Sequence, residues 1–421
     1  MKVIVLGAGV VGVTTAYYLL KDGHQVMLID RQAGVARECS HANGGFVAIS
    51  QAVPWAAPGV PLKTLRTLAQ PDAPILIHAG QIPRMWRWGL DFLRCSRAGA
   101  SWDNTRHVLR LALHSFEALQ EIRADTGVEY DRVTGGALKV YSDQQSLDEA
   151  VAISERQRPL GLEFRALDRR QCLDLVPALA PRIETLAGGI HFAAEEGGDC
   201  FKFCEGLAAW CAERGAVFGL GTRVERLAAD GGQITGVHTE RGEFVADAYV
   251  LALGADSPLL MRPLGVRLPI IPAKGYSITV PKAPFPEPPT IPVLDELRKF
   301  GMMPLPDRLR MSGLAELAGY DTTPEPRRTK AFVAGFTGLF PQLEACLEAA
   351  GHPQPFCCLR PVTPQGPPIL GRSRFANLFY NVGQGHLGWT LAHGSARIVA
   401  AQIAGRDPGL EMTGLGPAAG A

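Results

Sequence analysis

The stretch KVIVLGAGVVGVTTAYYLL, residues 2–20, restricts the fold of this chain more than any other. A β-branched apolar run over 2–6 reads as a strand. Gly7, Gly9 and Gly12 follow with G-x-G-x-x-G spacing, and helical periodicity continues over 10–21 until Gly23 stops it. A second apolar strand over 25–29 ends on Asp30, about 20 residues past the glycines, where a carboxylate can accept from both hydroxyls of an adenosine ribose. Gly7 permits the tight turn, Gly9 lets backbone approach a pyrophosphate, and Gly12 lets helix and strand pack closely. The amides at the helix start, those of Val10 and Val11, then face the anion, and Arg31 completes the expected contacts of this βαβ unit. Asp30 favours an unphosphorylated ribose; the loop by itself does not separate FAD from NAD.

The unit is too small to be a domain, so partner strands must come from elsewhere. The stretch 188–256 supplies candidates: a helix over 201–214, a strand carrying Val224, two hairpin-type strands, and a buried strand over 249–253. The last ends in Ala252, Gly254 and Ala255, small residues that suit a ligand lying across strand ends. Between these pieces the texture changes. Residues 55–186 are rich in proline and tryptophan before a helical run over 102–126, and 268–349 return to strand-like material with proline-rich loops. Arg84, Trp86, Arg87 and Trp88 fit either a membrane interface or a buried core helix.

With 421 residues the chain has room for two or three domains, and its net charge of +1 without long runs of one sign gives no case for nucleic acid. Nine cysteines, an odd number without metal-type spacing, point to a reducing compartment and no metal site; Cys200, Cys204 and Cys211 read as small buried hydrophobes on one helical face. No apolar run approaches bilayer length, so a cytoplasmic chain is expected, with peripheral contact to the inner membrane left open.

Further stretches join the first loop in order: SHANGG at 40–45, LDLVPAL at 173–179, VLALGA at 250–255, LRPVTPQGPPILGRS at 359–373 and NVGQGHLGWT at 381–390. Together they resemble the FAD-dependent D-amino acid oxidase superfamily, and within it the small-subunit type of bacterial D-amino acid dehydrogenase, over nearly the whole chain. The resemblance implies an α/β fold: a discontinuous doubly wound FAD-binding domain (1–54, 187–265 and 355–421) with an inserted antiparallel-sheet substrate domain (55–186 and 266–354). It also implies that Ser40, Asn43, Gly44 and Gly45 pass along the flavin ring and that the Val224 backbone meets the adenine. Gly385, Leu387, Gly388 and Thr390 would lie against the pyrimidine end, where the positive end of a helix starting near Leu387 suits charge that develops on reduction.

Arg360 matches the arginine that forks onto a substrate carboxylate in related amine oxidases, a role its planar guanidinium suits. Tyr276 is expected either to line the substrate lobe and donate to that carboxylate or to pack in the core, and His386 to face substrate, flavin edge or solvent. The chain departs from the usual dehydrogenase pattern at Gly383-Gln384-Gly385, at Gln365, and at Cys357-Cys358, where others carry a bulkier residue. No Cys or His matches a covalent attachment point, so noncovalent FAD is expected. The implied reaction is oxidative deamination of a D-amino acid, with hydride leaving Cα for the flavin and the imino acid hydrolysing to a 2-oxo acid and ammonia. Three alternatives stand beside it: a secondary amine such as D-proline, hydroxyproline or sarcosine; an oxidase using O2; and an electron-relay subunit of a complex. Expected partners are a small amino acid, a quinone or redox-protein acceptor, and a second copy of the chain in an oligomer.

Overall fold

The computed structural model describes residues 1–67, 73 and 75–417; positions 68–72 and 74 of the expected substrate domain and 418–421 of the last FAD-binding piece lie outside the described residues. At the centre of the nucleotide half is β1 (Lys2–Leu6), apolar and buried beyond its first residue, which marks a strand covered on both faces. It leads into α1 (Val10–Lys21) and returns as β2 (Gln25–Asp30), paired parallel to β1. On the other side of β1 runs the parallel strand Ala248–Leu251, followed by Leu378–Val382, while Val217–Leu220 extends the sheet beyond β2. The order of strands therefore reverses about β1, and a crevice opens at the carboxyl ends of β1 and its neighbours, the usual ligand position in doubly wound sheets. At the far edge Ile369–Arg372 pairs antiparallel.

Gly12 is fixed by this packing: a Cβ there would lie 1.9 Å from the Gly7 carbonyl oxygen. Gly7 itself has φ +108°, and its own Cβ would meet the Ala252 carbonyl oxygen at 2.4 Å. The turn and both close approaches therefore need glycine at these two positions.

The second large sheet runs in the order Phe356–Val362, Ile271–Pro281, Arg308–Leu317, Phe300–Pro304, Val293–Asp295, Ala137–Tyr141, Gly188–Phe192 and Arg165–Leu167. It is largely antiparallel, but Val293–Asp295 pairs parallel with Ala137–Tyr141, and Ile75–Ile77 pairs parallel with Arg308–Leu317. Two expected boundaries need correction. Gly188–Phe192 and Phe356–Val362, assigned above to the FAD-binding pieces, hydrogen-bond into the substrate sheet, because the chain crosses between lobes inside those segments.

The helix Ala98–Thr126 is a further correction. Expected within the substrate domain, it buries Leu109, Leu111, Ala112 and Ile122 in the same core as Val13 and Tyr17 of α1 and Leu391 and Ile398 of the helix Gly388–Ile403. Contact is close enough that a Cβ on Gly394 would reach within 2.8 Å of Ser115 Cα, and the Gly394 amide donates to Ser115 Oγ at 2.9 Å. The Tyr17 hydroxyl donates to Asp125 at 2.6 Å.

In this core His393 is fully buried against Phe203, with neither ring nitrogen partnered among the described residues. Burial, helped by the Arg123 charge, pushes its pKa down to about 3. Between that value and the unfolded value of 6.5 the unfolded chain binds a proton that the native chain refuses, so stability falls as pH drops below 6.5. His393→Leu is expected to remove about 2 kcal/mol of the stability loss between pH 6.5 and pH 5, measured by urea unfolding at each pH. An unchanged pH slope would disprove that assignment.

Candidate active site

A single cavity of about 1520 Å³ runs from the mouth of the first glycine loop to the substrate sheet. Every expected cofactor and substrate residue except Gly12 lines it. Gly12 stands behind, holding helix and strand together.

At the adenosine end the carboxylate of Asp30 accepts from the amides of Ala8 and Gln32, at 2.7 and 2.8 Å. Each oxygen keeps further lone-pair capacity for a ribose. Burial raises the Asp30 pKa, while the two amides oppose that rise. Arg31 is held by Glu38 at 2.6 Å and Asp256 at 2.7 Å, so its charge is locally balanced. Val224 opens its strand beside them. The amide of Val10 donates to Ser40 Oγ at 3.0 Å, tying the helix start to the stretch that follows.

That stretch threads a narrow passage. The Asn43 carboxamide accepts from the Gly45 amide at 3.0 Å; a Cβ at Gly44 would meet Ser312 Oγ at 2.6 Å and one at Gly45 the Gly198 carbonyl oxygen at 2.7 Å. Beyond it Thr390 Oγ1 accepts from the Ala48 amide at 3.0 Å, joining the late loop to the early one. The late loop is pinned from behind as well: Gln384 donates to Asn381 at 2.7 Å, and Asn381 to Thr15 of α1 at 3.1 Å. The helix Gly388–Ile403 begins without a side-chain cap, and a Cβ at Gly388 would meet nothing within 4 Å. α1 likewise starts from Gly9 with no side-chain cap of that residue's own. Two helix N-termini, each favouring negative charge, thus open on one cavity.

At the substrate end Arg360 stands on the strand Phe356–Val362, opposite Ala273. Its guanidinium lies across Gly275, whose added Cβ would reach Arg360 Cζ at 2.4 Å. Nη1 donates to the Leu314 carbonyl at 2.5 Å and Nη2 to that of Gly313 at 3.3 Å. Both carbonyls turn toward it because the strand Arg308–Leu317 is bulged there, with Leu314 at φ 54°. A guanidinium carries more donors than these two bonds use, leaving capacity for a carboxylate.

Tyr276 is placed differently from a donor to that carboxylate. It pairs with Cys357, one residue out of phase with Ala273 and Arg360, so its side chain leaves the opposite face of the sheet. There it packs near Phe332, and its hydroxyl donates to the buried Glu316 at 2.5 Å and accepts from the Glu325 amide at 3.2 Å. Lys274, on the same face, lies 3.3 Å from Glu316. Tyr276 is a core residue behind the Arg360 strand.

His386 opens into the cavity and stacks on Trp55, ring centroids 5.4 Å apart. Its place deep in the fold, followed by the charge of Arg360, lowers its pKa, while the ring itself is exposed to the cavity. Sequence reasoning missed a further group on this wall. Lys139 donates to the Ser50 carbonyl at 3.2 Å and faces Glu296 at 3.7 Å; Gln51 donates to the same carboxylate at 3.3 Å and Lys299 pairs with its other oxygen. Burial opposes the Glu296 charge, but Lys139, Lys299 and Gln51 outweigh it and bring the carboxyl down to about 2. The available signal was a lysine inside the otherwise apolar run ALKVY, where a charge needs a partner.

Among the described residues no group of three or more His, Cys, Asp or Glu could hold a metal ion. Cys200, Cys204 and Cys211 pack as apolar side chains in the core. A long cofactor fits what is there: the cavity exceeds the 300 to about 1,000 Å³ typical of small-molecule pockets, a helix N-terminus opens on it at each end, and the passage between them is lined by glycine.

The fold and cavity define a dinucleotide-dependent oxidoreductase. A family model described as FAD dependent oxidoreductase matches residues 2–402, and the chain belongs to that family. Its cofactor is FAD. The chain is 44% identical over 418 residues to a D-amino acid dehydrogenase of Paramagnetospirillum magneticum, covering 99% of this chain and 98% of that protein. It is 41% identical over 415 residues to a D-amino acid dehydrogenase of Rhizorhabdus wittichii, with 99% of each covered. In fold it is similar to glycine oxidase from Geobacillus kaustophilus, with TM-score 0.75, 21% identity and 99% and 98% of the two chains covered.

Proposed function

We propose that the protein oxidises D-amino acids to 2-oxo acids and ammonia, with Arg360 binding the substrate carboxylate. The observation that carries this reading is the placement of Arg360: a guanidinium with spare donors, held by two bulge carbonyls on the wall of a cavity whose other end suits a dinucleotide. Relatives named D-amino acid dehydrogenase at 40–44% identity over nearly the whole chain support the substrate class. Bound FAD would supply the acceptor for the hydride. The chain's own part is to fix the substrate carboxylate, so that Cα is presented in one orientation, and to favour the neutral amine. Trp55 and His386 give the cavity an aromatic wall, and the charge of Arg360 disfavours an ammonium beside it, which favours the neutral amine.

The test is anaerobic. D-alanine is expected to bleach the visible flavin band of the purified protein and L-alanine is not. Bleaching by D-proline or sarcosine alone would move the reading to secondary amines, and no bleaching with FAD bound would refute it. Noncovalent FAD is part of the same proposal: acid precipitation is expected to leave the yellow colour in the supernatant. A coloured pellet would show a covalent bond instead.

We propose further that electrons leave for a membrane acceptor, a quinone or redox protein, from a protein resting on the lipid surface. On the helix Trp86–Cys95 the two indoles part company. Trp88 is buried and donates to the Val362 carbonyl at 3.1 Å, whereas Trp86, Leu90 and Leu93 form an exposed stripe at helical spacing. Leu62, Leu65 and Ile82 are also exposed, as are Arg84, Arg87 and Arg97 in the segment that carries the stripe, while Arg94 pairs with Asp91 at 2.9 Å. Indole, leucine and arginine together suit an anionic lipid interface. Among the described residues no helix is long and apolar enough to cross a membrane. The protein is expected to sediment with phosphatidylglycerol-containing vesicles and not with pure phosphatidylcholine, and Trp86→Ser with Leu90→Ser to abolish that; equal sedimentation of wild type and variant would refute the surface.

A further inference from the structure

We propose that Cys39 and Cys358 form a peroxide-reactive dithiol on the wall of the active cavity, one that closes to a disulfide and thereby ties the strand of Arg360 to the loop that enters the cofactor site. The two sulfurs lie 3.3 Å apart, in contact, across 319 residues of chain. Both side chains are partly open, and both line the cavity that receives substrate, so a molecule as small as hydrogen peroxide can reach them.

Their positions give the bond its consequence. Cys358 faces Gly275 across the sheet and so shares the cavity face with Arg360, two residues further along the same strand. Cys39 immediately precedes Ser40, whose hydroxyl accepts from the Val10 amide at the first glycine loop. A disulfide would tie the strand that carries the carboxylate-binding guanidinium to the loop that leads into the cofactor site. Neighbouring Cys357 leaves the opposite face with Tyr276 and takes no part.

The two thiols differ in character. The hydrogen bond from Cys358, together with the Arg360 charge, lowers the Cys39 pKa against the effect of burial, and the same bond raises that of Cys358. Cys39 is therefore the nucleophile and Cys358 the resolving thiol. The Cys39 thiolate attacks one oxygen of hydrogen peroxide; the O–O bond breaks, leaving a sulfenic acid on Cys39 and a hydroxide that takes up the proton Cys39 gave up. Cys358 sulfur then attacks the sulfenic sulfur, the S–O bond breaks, and the departing hydroxide leaves as water with the Cys358 proton. Two thiols and one peroxide yield one disulfide and two waters, two electrons passing from sulfur to oxygen.

The proposal rests on the D-amino acid reading only for its activity readout. Purified FAD-loaded protein would be treated with a small excess of hydrogen peroxide, alkylated, digested without reductant and mapped by mass spectrometry. The expected result is a linked Cys39–Cys358 peptide two hydrogens lighter than its parts, lost on treatment with dithiothreitol. In parallel, the ratio of treated to untreated D-alanine turnover is expected to fall on the order of 10-fold or more, and to return with dithiothreitol. Cys39→Ser and Cys358→Ser are each expected to hold that ratio near one, while Cys357→Ser remains as sensitive as wild type. Absence of the linked peptide while other thiols oxidise would overturn the proposal, as would a linked peptide without any change in turnover for its effect on Arg360. A chain that forms the bond but oxidises no D-amino acid would fail the proposed function and leave the dithiol standing.

Discussion

Arg360→Met is expected to leave the protein folded and flavin-loaded while lowering kcat/KM for a D-amino acid by roughly 10²- to 10³-fold, chiefly through KM. The magnitude follows from what is removed: a charge-assisted, two-pronged contact inside a cavity, of the kind whose loss costs about 3–4 kcal/mol. Methionine keeps much of the apolar bulk over Gly275 but none of the donors that now reach the Leu314 and Gly313 carbonyls. Arg360→Lys is expected to recover only part of the loss, because an ammonium cannot hold two carbonyls and a planar carboxylate at once. Thermal unfolding and the visible flavin spectrum serve as controls. Should R360M turn over substrate within about threefold of wild type, the carboxylate must bind elsewhere and the proposed substrate orientation fails.

The second large effect is expected at the first glycine loop, and two substitutions separate its two functions. Gly12→Val places carbon where the Gly7 carbonyl oxygen already stands, 1.9 Å away, and neither atom belongs to a side chain that could turn aside. The helix must then lift from the sheet, at a cost of about 1–3 kcal/mol or more, and the variant is expected to express poorly and carry no flavin. At Gly9 a Cβ would meet only Ser40 Oγ at 3.4 Å, an ordinary contact, and would otherwise project toward the cavity. Gly9→Ala is therefore expected to fold with near wild-type thermal stability as apoprotein and to lose FAD affinity. The ratio of flavin to protein absorbance together with apoprotein melting distinguishes them. Equal behaviour of the two variants would show that packing and cofactor contact are not divided as the structure has them.

Much of this site is readable from local sequence. Strand, glycine spacing, helix and terminal Asp30 lie within one unbroken segment, so their geometry follows from rules that act over a few residues. Arg360 and the late loop are equally compact signals. Tyr276 stayed open between substrate lobe and core for a reason of parity: in KGYS the face that each residue takes depends on which residue it opposes, and its partner Cys357 lies some eighty residues away. The helix Ala98–Thr126 has buried residues suited to any core, and nothing within it names the helices of the other lobe as its partners. Lys139 and Glu296 are far apart in sequence, and although a lysine within ALKVY calls for a partner, nothing in its segment names Glu296. The strands Gly188–Phe192 and Phe356–Val362 were drawn on the wrong side of the boundary because the chain passes between lobes without a composition change.

The packing of residues 98–126 and 388–403 around α1 bears on how the protein is made. A ribosome delivers β1 and α1 first, yet the helix that covers α1, Gly388–Ile403, emerges only after more than three hundred further residues. Through most of synthesis Tyr17, Leu19 and their neighbours lack their final cover, and the nascent chain presents an apolar surface of the kind that attracts chaperones or aggregates. The same delay postpones the cofactor cavity, since its flavin end is closed by the late loop. Flavin capture is in this way bound to the last stage of assembly, and supply of FAD at that moment becomes a determinant of yield.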